Sequence, residues 1–444
     1  MNLFCFNHLR SGWDTPRSPT VSRIYHLAVA AVSIALLVWP VARHAQTTQG
    51  VLDAEFGVGG KVVSNTSRAF KRSFAIALQR RGKIVVVGYS NGRKGQRAFV
   101  GQYNQNGTPD AGFGDGGFAG IASNFEAATA VVVQPNRKIV VGGRVGLDFG
   151  LARLNRDGSL DPGFGSAGIV ATDFFGRNDS AYALALQPDG KMVVAGSVGK
   201  GHTELFGIAR YTQEGGLDPT FGNNGKVTLG FSANLSQALT VALQPDGKIV
   251  AAGMAAMDTT RNDFALVRLN ADGSRDSTFG VEGLVTTDFS GGFDGVNAVV
   301  IQPDGKIVAV GESDSKFALA RYDPNGRLDL AFGSAGKVET DFFGVSAYAA
   351  AAALQADGKV IAVGGARRID QNSNTDDFAV ARFQTDGTLD STFAQGGKLT
   401  IDFLNDADSA SSVVIQKDGR VVIAGTAAGN SGQFSLAMAR LMGE

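Results

Sequence analysis

The sequence predicts an all-β protein, a seven-bladed β-propeller with four antiparallel strands per blade, preceded by a signal segment. Three observations support this class: a motif that recurs seven times, four strand-like segments in each repeat, and no segment with a helical period. The motif has the form L-D-x-x-F-G, and its phenylalanines are Phe56, Phe113, Phe164, Phe221, Phe279, Phe332 and Phe393. The repeats start near residues 51, 108, 159, 216, 274, 327 and 388, so seven units fill a single domain over residues 46–444.

Each repeat contains four short segments that are bounded by glycine or by an Asp-Gly pair. In the fourth repeat they read GKVTL, LTVALQ, KIVAAG and FALVRLN, and their β-branched residues predict strands. A Gln-Pro-Asp-Gly turn joins the second segment to the third. A β-solenoid is the alternative, but its coils of about 20–30 residues are roughly half as long as these repeats. The last repeat ends at residues 439–441 without the motif, so we expect the copy at residues 52–57 to follow the last strand in space and close the ring.

The repeats resemble the delta-60 repeat, a bacterial repeat of unknown function that is predicted to form β-propellers. The resemblance rests on the L-D-x-x-F-G-x-x-G-K-V start, the L-Q-P-D-G-K-I-V-A-x-G centre and the F-A-L-A-R strand, and it covers nearly all of residues 51–444. It implies a propeller in a surface-exposed or secreted setting, and it brings no catalytic residues.

Residues 1–45 have the layout of a leader with a secretory signal peptide. The apolar run, residues 27–42, follows Arg23, and Ala45 offers a small residue for cleavage, although Arg43 is unusual near such a site. The run is shorter than the ~20 apolar residues of a membrane span, and an uncleaved anchor helix is the alternative. We therefore expect a secreted, periplasmic or cell-surface protein with no membrane span after signal removal.

Residues that recur in every repeat are interpreted as structural, because a single functional site would not be repeated seven times. They include the motif Phe, the Gly that ends the third segment (Gly88 through Gly425) and the Phe that opens the fourth (Phe99 through Phe434). An arginine recurs in six repeats shortly before the Asp of the next motif, and pairing of the two across a hairpin is favoured over a ring of anion-binding arginines. These arginines are Arg153, Arg210, Arg268, Arg321, Arg382 and Arg440. In the first repeat Gln102 stands in this place, and it is expected to keep a hydrogen bond to Asp110.

An Asn-x-Asp-Gly-x-x-Asp pattern at residues 155–161 and 270–276 resembles half of a calcium loop. The first ligand position then falls on Arg153 or Arg268, and a cation cannot replace a ligating carboxylate. A hairpin turn is the favoured interpretation, so no cofactor is expected, with calcium as the alternative.

Length variation is concentrated in the loop between the third and fourth segments. Variable loops on a rigid scaffold are where binding sites are usually built, and neutral drift in solvated loops is the alternative. The longest of these loops, residues 365–377, carries Arg367 and Arg368, and others cover residues 89–98 and 254–263.

A T-D-F motif ends the first segment of several repeats, with its carboxylates at Asp173, Asp288, Asp341 and Asp402. If the first segment lines the channel, these carboxylates form a rim at its mouth that binds a cation or a basic ligand. The alternative, which is favoured, is a strand-ending Asp that caps a turn.

The composition argues against several classes of function. The 41 basic and 41 acidic side chains cancel, which argues against a nucleic-acid partner. The only cysteine, both tryptophans and three of the four histidines lie in the leader, so the body keeps only the imidazole of His202. These features favour a monomeric binding or scaffold module of the cell envelope or the outside of the cell, with an unknown protein or glycan partner. The alternative is an envelope hydrolase or lyase, metal-dependent and lactonase-like, that uses Asp residues at the channel rim.

Overall fold

Twenty-eight strands form seven four-stranded antiparallel sheets in the part of the chain that the computed structural model describes, residues 50–64, 70–92, 95–121, 124–231, 235–257, 261–369, 374–429 and 434–443. The sheets succeed one another around a central axis, so the predicted seven-bladed β-propeller is confirmed. The predicted leader, with its apolar run at residues 27–42, lies outside the described residues. No helix in the ranges given above combines the length and the apolar character that crossing a membrane requires.

The strands are short, and one turn of 3-10 helix (Arg80–Gly82) joins the second strand to the third. In chain order the strands are β1 (Lys61–Val63); β2 (Phe70–Leu78), β3 (Ile84–Gly92), β4 (Gly95–Tyr103), β5 (Phe118–Gly120); β6 (Phe125–Val133), β7 (Ile139–Val145), β8 (Asp148–Leu154), β9 (Ile169–Thr172); β10 (Asp179–Leu186), β11 (Met192–Lys200), β12 (Thr203–Tyr211), β13 (Lys226–Leu229); β14 (Ser236–Leu243), β15 (Ile249–Ala256), β16 (Asn262–Leu269), β17 (Leu284–Thr287); β18 (Asp294–Ile301), β19 (Ile307–Ser313), β20 (Lys316–Tyr322), β21 (Lys337–Thr340); β22 (Ser346–Leu354), β23 (Val360–Ile369), β24 (Asn374–Phe383), β25 (Lys398–Ile401); β26 (Asp408–Ile415), β27 (Val421–Ala428) and β28 (Phe434–Leu441).

Six blades are built from consecutive strands, and the seventh is shared between the two ends of the described chain. Blades 1 to 6 are β2–β5, β6–β9, β10–β13, β14–β17, β18–β21 and β22–β25. Blade 7 has the order β26-β27-β28-β1, with Lys61 opposite Ala439 and Val63 opposite Ala437. The backbone N–H of Asp53 also donates to the carbonyl of Arg440 at 2.8 Å. The N-terminal copy of the motif therefore closes the ring.

The first strand of each sheet lies at the centre of the ring. The strands β2, β6, β10, β14, β18, β22 and β26 contact one another in sequence all the way round, including β26 with β2. The fourth strand of each sheet, such as β13 with its half-exposed residues, forms the outer edge. The GKV segment therefore does not line the channel, which was the condition for the predicted carboxylate rim. That segment pairs with the preceding F-A-L-A-R strand through a hairpin, as Lys226 does with Ala209, and so becomes the outermost strand of the preceding blade.

The glycine that ends the third segment is required by a bulge in the neighbouring inner strand. In blade 3 the pairing register shifts between Ala181 and Ala183, which turns the carbonyl oxygen of Ser180 toward Gly196. A Cβ at Gly196 would lie 2.0 Å from that oxygen. The equivalent glycines that a Cβ would bring within 1.8–2.0 Å of a carbonyl oxygen are Gly143, Gly196, Gly253, Gly311, Gly364 and Gly425.

The Phe that opens the fourth segment recurs in register in five blades and not in seven. Its ring packs on the Phe that ends the T-D-F motif or its equivalent, which in blade 3 is Phe231 after Gly230, with centroids 4.7–5.0 Å apart. These residues are Phe149, Phe206, Phe264, Phe317 and Phe378. In blade 1 the position four residues before Gln102 is Ala98, and in blade 7 Leu436 fills it while Phe434 is 37% exposed. The sevenfold recurrence is wrong here, because Phe99 and Phe434 share the residue type but not the register.

Candidate functional site

The two faces of the ring differ in their connections. One face, which we call the uniform face, carries the turns between the first and second strands and the hairpins between the third and fourth, such as residues 187–191 and 155–164. The opposite face, the loop face, carries the loops between the second and third strands and the connections between blades, such as residues 146–147 and 173–178. The variable loops and the T-D-F motifs therefore share the loop face.

The uniform face is held together by a repeated cluster of charges. In blade 4, Nε of Arg268 lies 2.6 Å from Oδ2 of Asp276, and Nζ of Lys248 lies 2.9 Å from the same oxygen. The guanidinium of Arg268 also stacks 4.6 Å from the ring centroid of Phe279 and donates from Nη1 to the carbonyl of Pro324 in the hairpin of the next blade. One arginine thus joins its own hairpin, the motif Phe and the neighbouring blade.

The same cluster is present in six blades, and its arginine side chains are only 2–9% exposed. The pairs are Arg153–Asp161, Arg210–Asp218, Arg268–Asp276, Arg321–Asp329, Arg382–Asp390 and Arg440–Asp53. Such buried and paired groups favour the structural interpretation over a ring of anion-binding arginines.

The second cation of each cluster was missed by sequence reasoning, although a basic residue follows the turn after the first strand in all seven repeats. These cations are Lys83, Lys138, Lys191, Lys248, Lys306, Lys359 and Arg420. In blade 1, which has no arginine at this place, Lys83 pairs with Asp110 and the Nε2 of Gln102 has no hydrogen-bond partner. The expected side-chain hydrogen bond from Gln102 to Asp110 is therefore wrong, and the two residues are joined only through the backbone, where the N–H of Asp110 donates to the carbonyl of Gln102 at 2.8 Å.

The cluster carboxylates are held in their ionised form. Burial by itself raises the pKa of Asp390, but hydrogen bonds from Thr392 and the charges of Arg382 and Lys359 outweigh it and hold that pKa at about 2. For Asp276 burial is again outweighed, by Thr278, Lys248 and Arg268, and the pKa is lowered. The shifts are those of a structural ion cluster and need no bound ligand.

The half calcium loops are hairpin turns of the uniform face. Oδ1 of Asp157 accepts hydrogen bonds from the backbone N–H of Ser159 at 3.0 Å and from its hydroxyl at 2.6 Å. Oδ1 of Asp272 accepts the same two bonds from Ser274. Both carboxylates therefore close a hairpin turn. This agrees with the favoured interpretation, in which Arg153 and Arg268 at the first ligand position argued against calcium.

The longest variable loop is mainly an extension of its two strands. Arg367 lies opposite Asp376 and Arg368 opposite Thr375 in the β23–β24 ladder, so the sheet extends beyond the loop face there. Nε of Arg367 lies 3.8 Å from Oδ1 of Asp376, and both side chains are more than a third exposed. Residues 370–373 at its tip lie outside the described residues.

The exposed aromatic side chains lie on the loop face, whereas exposed aliphatic side chains occur on both faces, with Val58, Val281 and Leu330 on the uniform face. Every large aromatic that is exposed in the described part of the chain lies there: Phe175 and Phe343 in connections between blades and Phe434 at the base of a variable loop. Leu147 and Ile369 are each 57% exposed on the same face. A surface with aromatic residues and arginine has the composition of a binding surface.

The four T-D-F carboxylates each cap a turn. Oδ1 of each accepts the backbone N–H of the residue three positions later, at 2.5–2.8 Å. The residues are Asp173, Asp288, Asp341 and Asp402. These hydrogen bonds are those of the turn cap that was the favoured interpretation. The carboxylates follow the outermost strand of their blades, so they do not rim the channel, which was the alternative.

Three of these carboxylates belong to groups that the sequence did not indicate, the acid triads. In each triad, carboxylate oxygens of three aspartates lie within 4.8 Å of one another at a junction between blades. The triads are Asp148, Asp173 and Asp179 between blades 2 and 3; Asp263, Asp288 and Asp294 between blades 4 and 5; and Asp377, Asp402 and Asp408 between blades 6 and 7. The signal was present as an Asp before the fourth-segment Phe and an Asp six residues after the T-D-F carboxylate, both in the same three repeats.

The third member of each triad begins the inner strand of the next blade and has no exposed surface. Its Oδ2 accepts the backbone N–H of the T-D-F phenylalanine, at 2.9 Å in Asp179, 2.7 Å in Asp294 and 2.6 Å in Asp408. Burial and the nearby carboxylates raise the pKa of Asp408 to about 7 and that of Asp179 to about 6, and burial raises the pKa of Asp294. The carboxylates of each triad are therefore close enough for their negative charges to repel one another.

The chain matches one family model, described as a domain of unknown function (DUF5122) beta-propeller. The matched segments are residues 82–113, 134–164, 187–221, 244–279, 302–332, 355–393 and 416–443, which together make up just over half of the chain. No curated protein is similar to the chain in sequence.

Solved structures are similar to the chain at low sequence identity. A protein of unknown function from Dyadobacter fermentans is 13% identical over 87% of this chain and 98% of its own, with a TM-score of 0.44. Sqt1 from Chaetomium thermophilum is 13% identical over 82% and 83%, with a TM-score of 0.47. A protein from Lactobacillus plantarum is 17% identical over 80% and 94%, also with a TM-score of 0.47. At these scores and identities none of them informs the function of this chain.

Proposed function

The chain belongs to the DUF5122 beta-propeller family, and from that premise we propose that it is an exported, non-enzymatic binding or scaffold module that holds its ligand on the loop face. The family description assigns no function, so the proposal is argued from the residues of this chain. We also propose that the delta-60 repeat and this family describe the same structural unit.

The observation that carries the proposal is the division of the charged and aromatic residues between the two faces. On the uniform face the repeated arginines and motif aspartates are buried and paired with one another, and the connections keep nearly the same length. The loop face carries the length variation, the exposed aromatics Phe175 and Phe343, and the exposed pair of Arg367 with Asp376. Binding sites are commonly built in this way, on variable connections held by a uniform frame.

Three further features support export and the class of ligand. The leader pattern at residues 27–42 and the body without cysteine suit an oxidising compartment outside the cytoplasm. A protein or glycan partner suits a surface that mixes exposed aromatics with arginine. The enzymatic alternative required carboxylates at the channel rim, and the T-D-F carboxylates follow the outermost strands instead.

The test compares two faces of the full chain against the same probes. A loop-face variant combines Phe175→Ala, Phe343→Ala and Arg367→Ala, and a control combines Asp189→Ala and Asp246→Ala, two aspartates of the uniform face that are each 56% exposed. Wild type and both variants are applied to an array of bacterial polysaccharides, to peptidoglycan sacculi and to a blotted envelope protein fraction.

We expect the wild type and the control to bind one probe class at least tenfold better than the loop-face variant does. Binding that is lost in the control and retained in the loop-face variant would contradict the placement of the site. A wild type that binds none of the three probe classes would contradict the function. N-terminal sequencing of the mature protein tests export, for which a new terminus after Ala45 is the expected result.

A further inference from the structure

The acid triads contain more carboxylates than the junctions between blades require. At the junction of blades 3 and 4, Leu205 and Gly230 stand in place of the first two acids, and Ser236 replaces the third. Ser236 is as fully buried as the aspartates, and its Oγ accepts the N–H of Phe231 at 3.5 Å. The same chain therefore builds this junction without the three equivalent acids, with Glu204 accepting a hydrogen bond from Nε2 of Gln237 across it, so capping the connection does not require three carboxylates together.

Two of the triads contain a buried carboxylate oxygen with no hydrogen-bond donor. Asp408 has no exposed surface, its Oδ2 takes the N–H of Phe403, and its Oδ1 has no partner. Asp294 resembles it at the junction of blades 4 and 5: its Oδ2 takes the N–H of Phe289 and its Oδ1 has no partner in hydrogen-bonding geometry, but here the hydroxyl of Ser313 on the paired strand also faces the carboxylate. A buried polar atom left without a partner is costly, and such an atom beside two further carboxylates indicates a missing positive ligand.

The spacing of the carboxylates suits a calcium ion. The triad oxygens lie within 4.8 Å of one another, which is no more than the separation of two oxygens on opposite sides of a Ca²⁺ ion bonded at about 2.4 Å, so one ion can contact all three. Mg²⁺ demands a nearly octahedral set of ligands at about 2.05 Å. Carboxylate oxygens from separate segments match the flexible coordination of calcium.

We propose that the triad of Asp377, Asp402 and Asp408 and the triad of Asp263, Asp288 and Asp294 each bind a hard divalent cation, Ca²⁺ in the first instance. Each ion would join the outer-strand connection of one blade to the buried start of the inner strand of the next. The triad between blades 2 and 3 is not assigned a site, because Oδ1 of Asp179 already accepts the N–H of Gly199 at 3.1 Å. This inference does not depend on the proposed partner-binding function.

The T-D-F motif provides a matched pair of variants. Asp402 and Asp341 are both exposed, and Oδ1 of each accepts the N–H of the residue three positions later at 2.8 Å. Only Asp402 belongs to a triad, since Lys316 and Ala347 occupy the other two places at the junction of Asp341. An Asn at either position keeps the turn-capping oxygen, so the two variants differ in the triad alone.

The experiment titrates the chelator-stripped full chain with CaCl2, using calorimetry and a thermal melt, and repeats the titration with MgCl2. The wild type is expected to bind two ions with a Kd near 10⁻⁴ M, within the range of extracellular calcium modules, and to melt several degrees higher in 10 mM CaCl2. The variant D402N should bind one ion, D288N/D402N none, and D341N two. Mg²⁺ should bind at least tenfold more weakly.

Two outcomes would overturn the inference. The first is a wild type that takes up no Ca²⁺ at 10 mM and whose melting temperature does not respond to it, which would mean that a proton satisfies the Oδ1 of Asp408. The second is a stoichiometry that D341N lowers as much as D402N does, which would mean that the ions bind elsewhere. Because these readouts involve no partner, they can fail while the loop-face proposal stands, and the reverse is also true.

Discussion

Replacing Arg268 by alanine tests whether the repeated arginines hold the propeller together. Removing the guanidinium leaves the buried carboxylate of Asp276 with Lys248 and Thr278 as its remaining side-chain partners, and it leaves the carbonyl of Pro324 without the donor from the previous blade. Breaking a buried ion pair costs about 3–5 kcal/mol, and the second cation reduces that loss, so we expect the free energy of unfolding to fall by about 3 kcal/mol.

The expected change in melting temperature follows from the size of the domain. At about 2.1 cal/mol/K per residue, the unfolding entropy of the whole ring is about 0.8 kcal/mol/K, so 3 kcal/mol corresponds to a fall of about 4 °C. Arg268→Gln should cost roughly half as much, because a glutamine fills the same buried place in blade 1 as Gln102. Circular dichroism melts and urea titrations measure both quantities.

The matched control is Arg275→Ala in the same hairpin. Arg275 is 45% exposed, and its Nη2 lies 3.7 Å from Oε2 of the exposed Glu282, so its loss should change stability by less than about 0.5 kcal/mol. If Arg268→Ala melts at the same temperature as Arg275→Ala, the cluster is not a structural element, and the arginines would have to be reconsidered as a binding ring.

Three further predictions concern the frame. Gly311→Ala places a Cβ 1.9 Å from a carbonyl oxygen of the bulged inner strand and should lower stability by more than about 3 kcal/mol, whereas Gly120→Ala, with no atom within 4 Å, should melt within 2 °C of the wild type. Deleting residues 46–64 removes β1 and leaves the edge of β28 unpaired, so size-exclusion chromatography should show aggregates in place of a monomer, and a monomer with an unchanged melt would contradict closure by β1. The pKa values of Asp276 and Asp390 are lowered on folding, so their stabilisation is present above the unfolded pKa and is lost as the pH falls through the folded pKa, about 2 for Asp390. The raised pKa values of Asp408 and Asp179 act in the opposite direction between pH 7 and 5, so the measurement is the difference in melting temperature between the wild type and Asp276→Asn, which should stay level from pH 7 to 5 and narrow below pH 4.

The fold was predictable because its signals are local and repeated, whereas the boundaries of the blades were not. A repeat has no intrinsic beginning, so the GKV segment reads equally well as the first strand of one blade or the last strand of the blade before it. The pairing of Lys226 with Ala209 makes the segment the last strand of the preceding blade, and the local sequence pattern does not reveal this pairing. The wrong blade boundary also misplaced Asp173 and its equivalents, because they follow the GKV segment and their position in the ring depends on where that segment lies.

The candidate site was only partly predictable, for a related reason. Asp377 and Asp408 belong to different repeats, and the sequence around each is explained by an ordinary aspartate near the end of a strand. Their approach depends on how the connection from the outer strand crosses to the next blade. Five of the six Arg–Asp pairs were found because their partners lie on one hairpin, eight residues apart, while the lysine of the same cluster comes from the turn between the first and second strands of the blade.

β1 completes the last blade beside β28, although almost the whole length of the described chain separates these two strands. The register joins Lys61 to Ala439, and at 5–20 residues per second a ribosome needs about 20 to 80 s to make β28 after β1. During that interval β1 is a strand without a sheet, and no arrangement of the earlier blades can close the ring. The ring can therefore close only after β28 has been made, and a cell that handles this protein has to keep an incomplete ring from pairing with its neighbours until then.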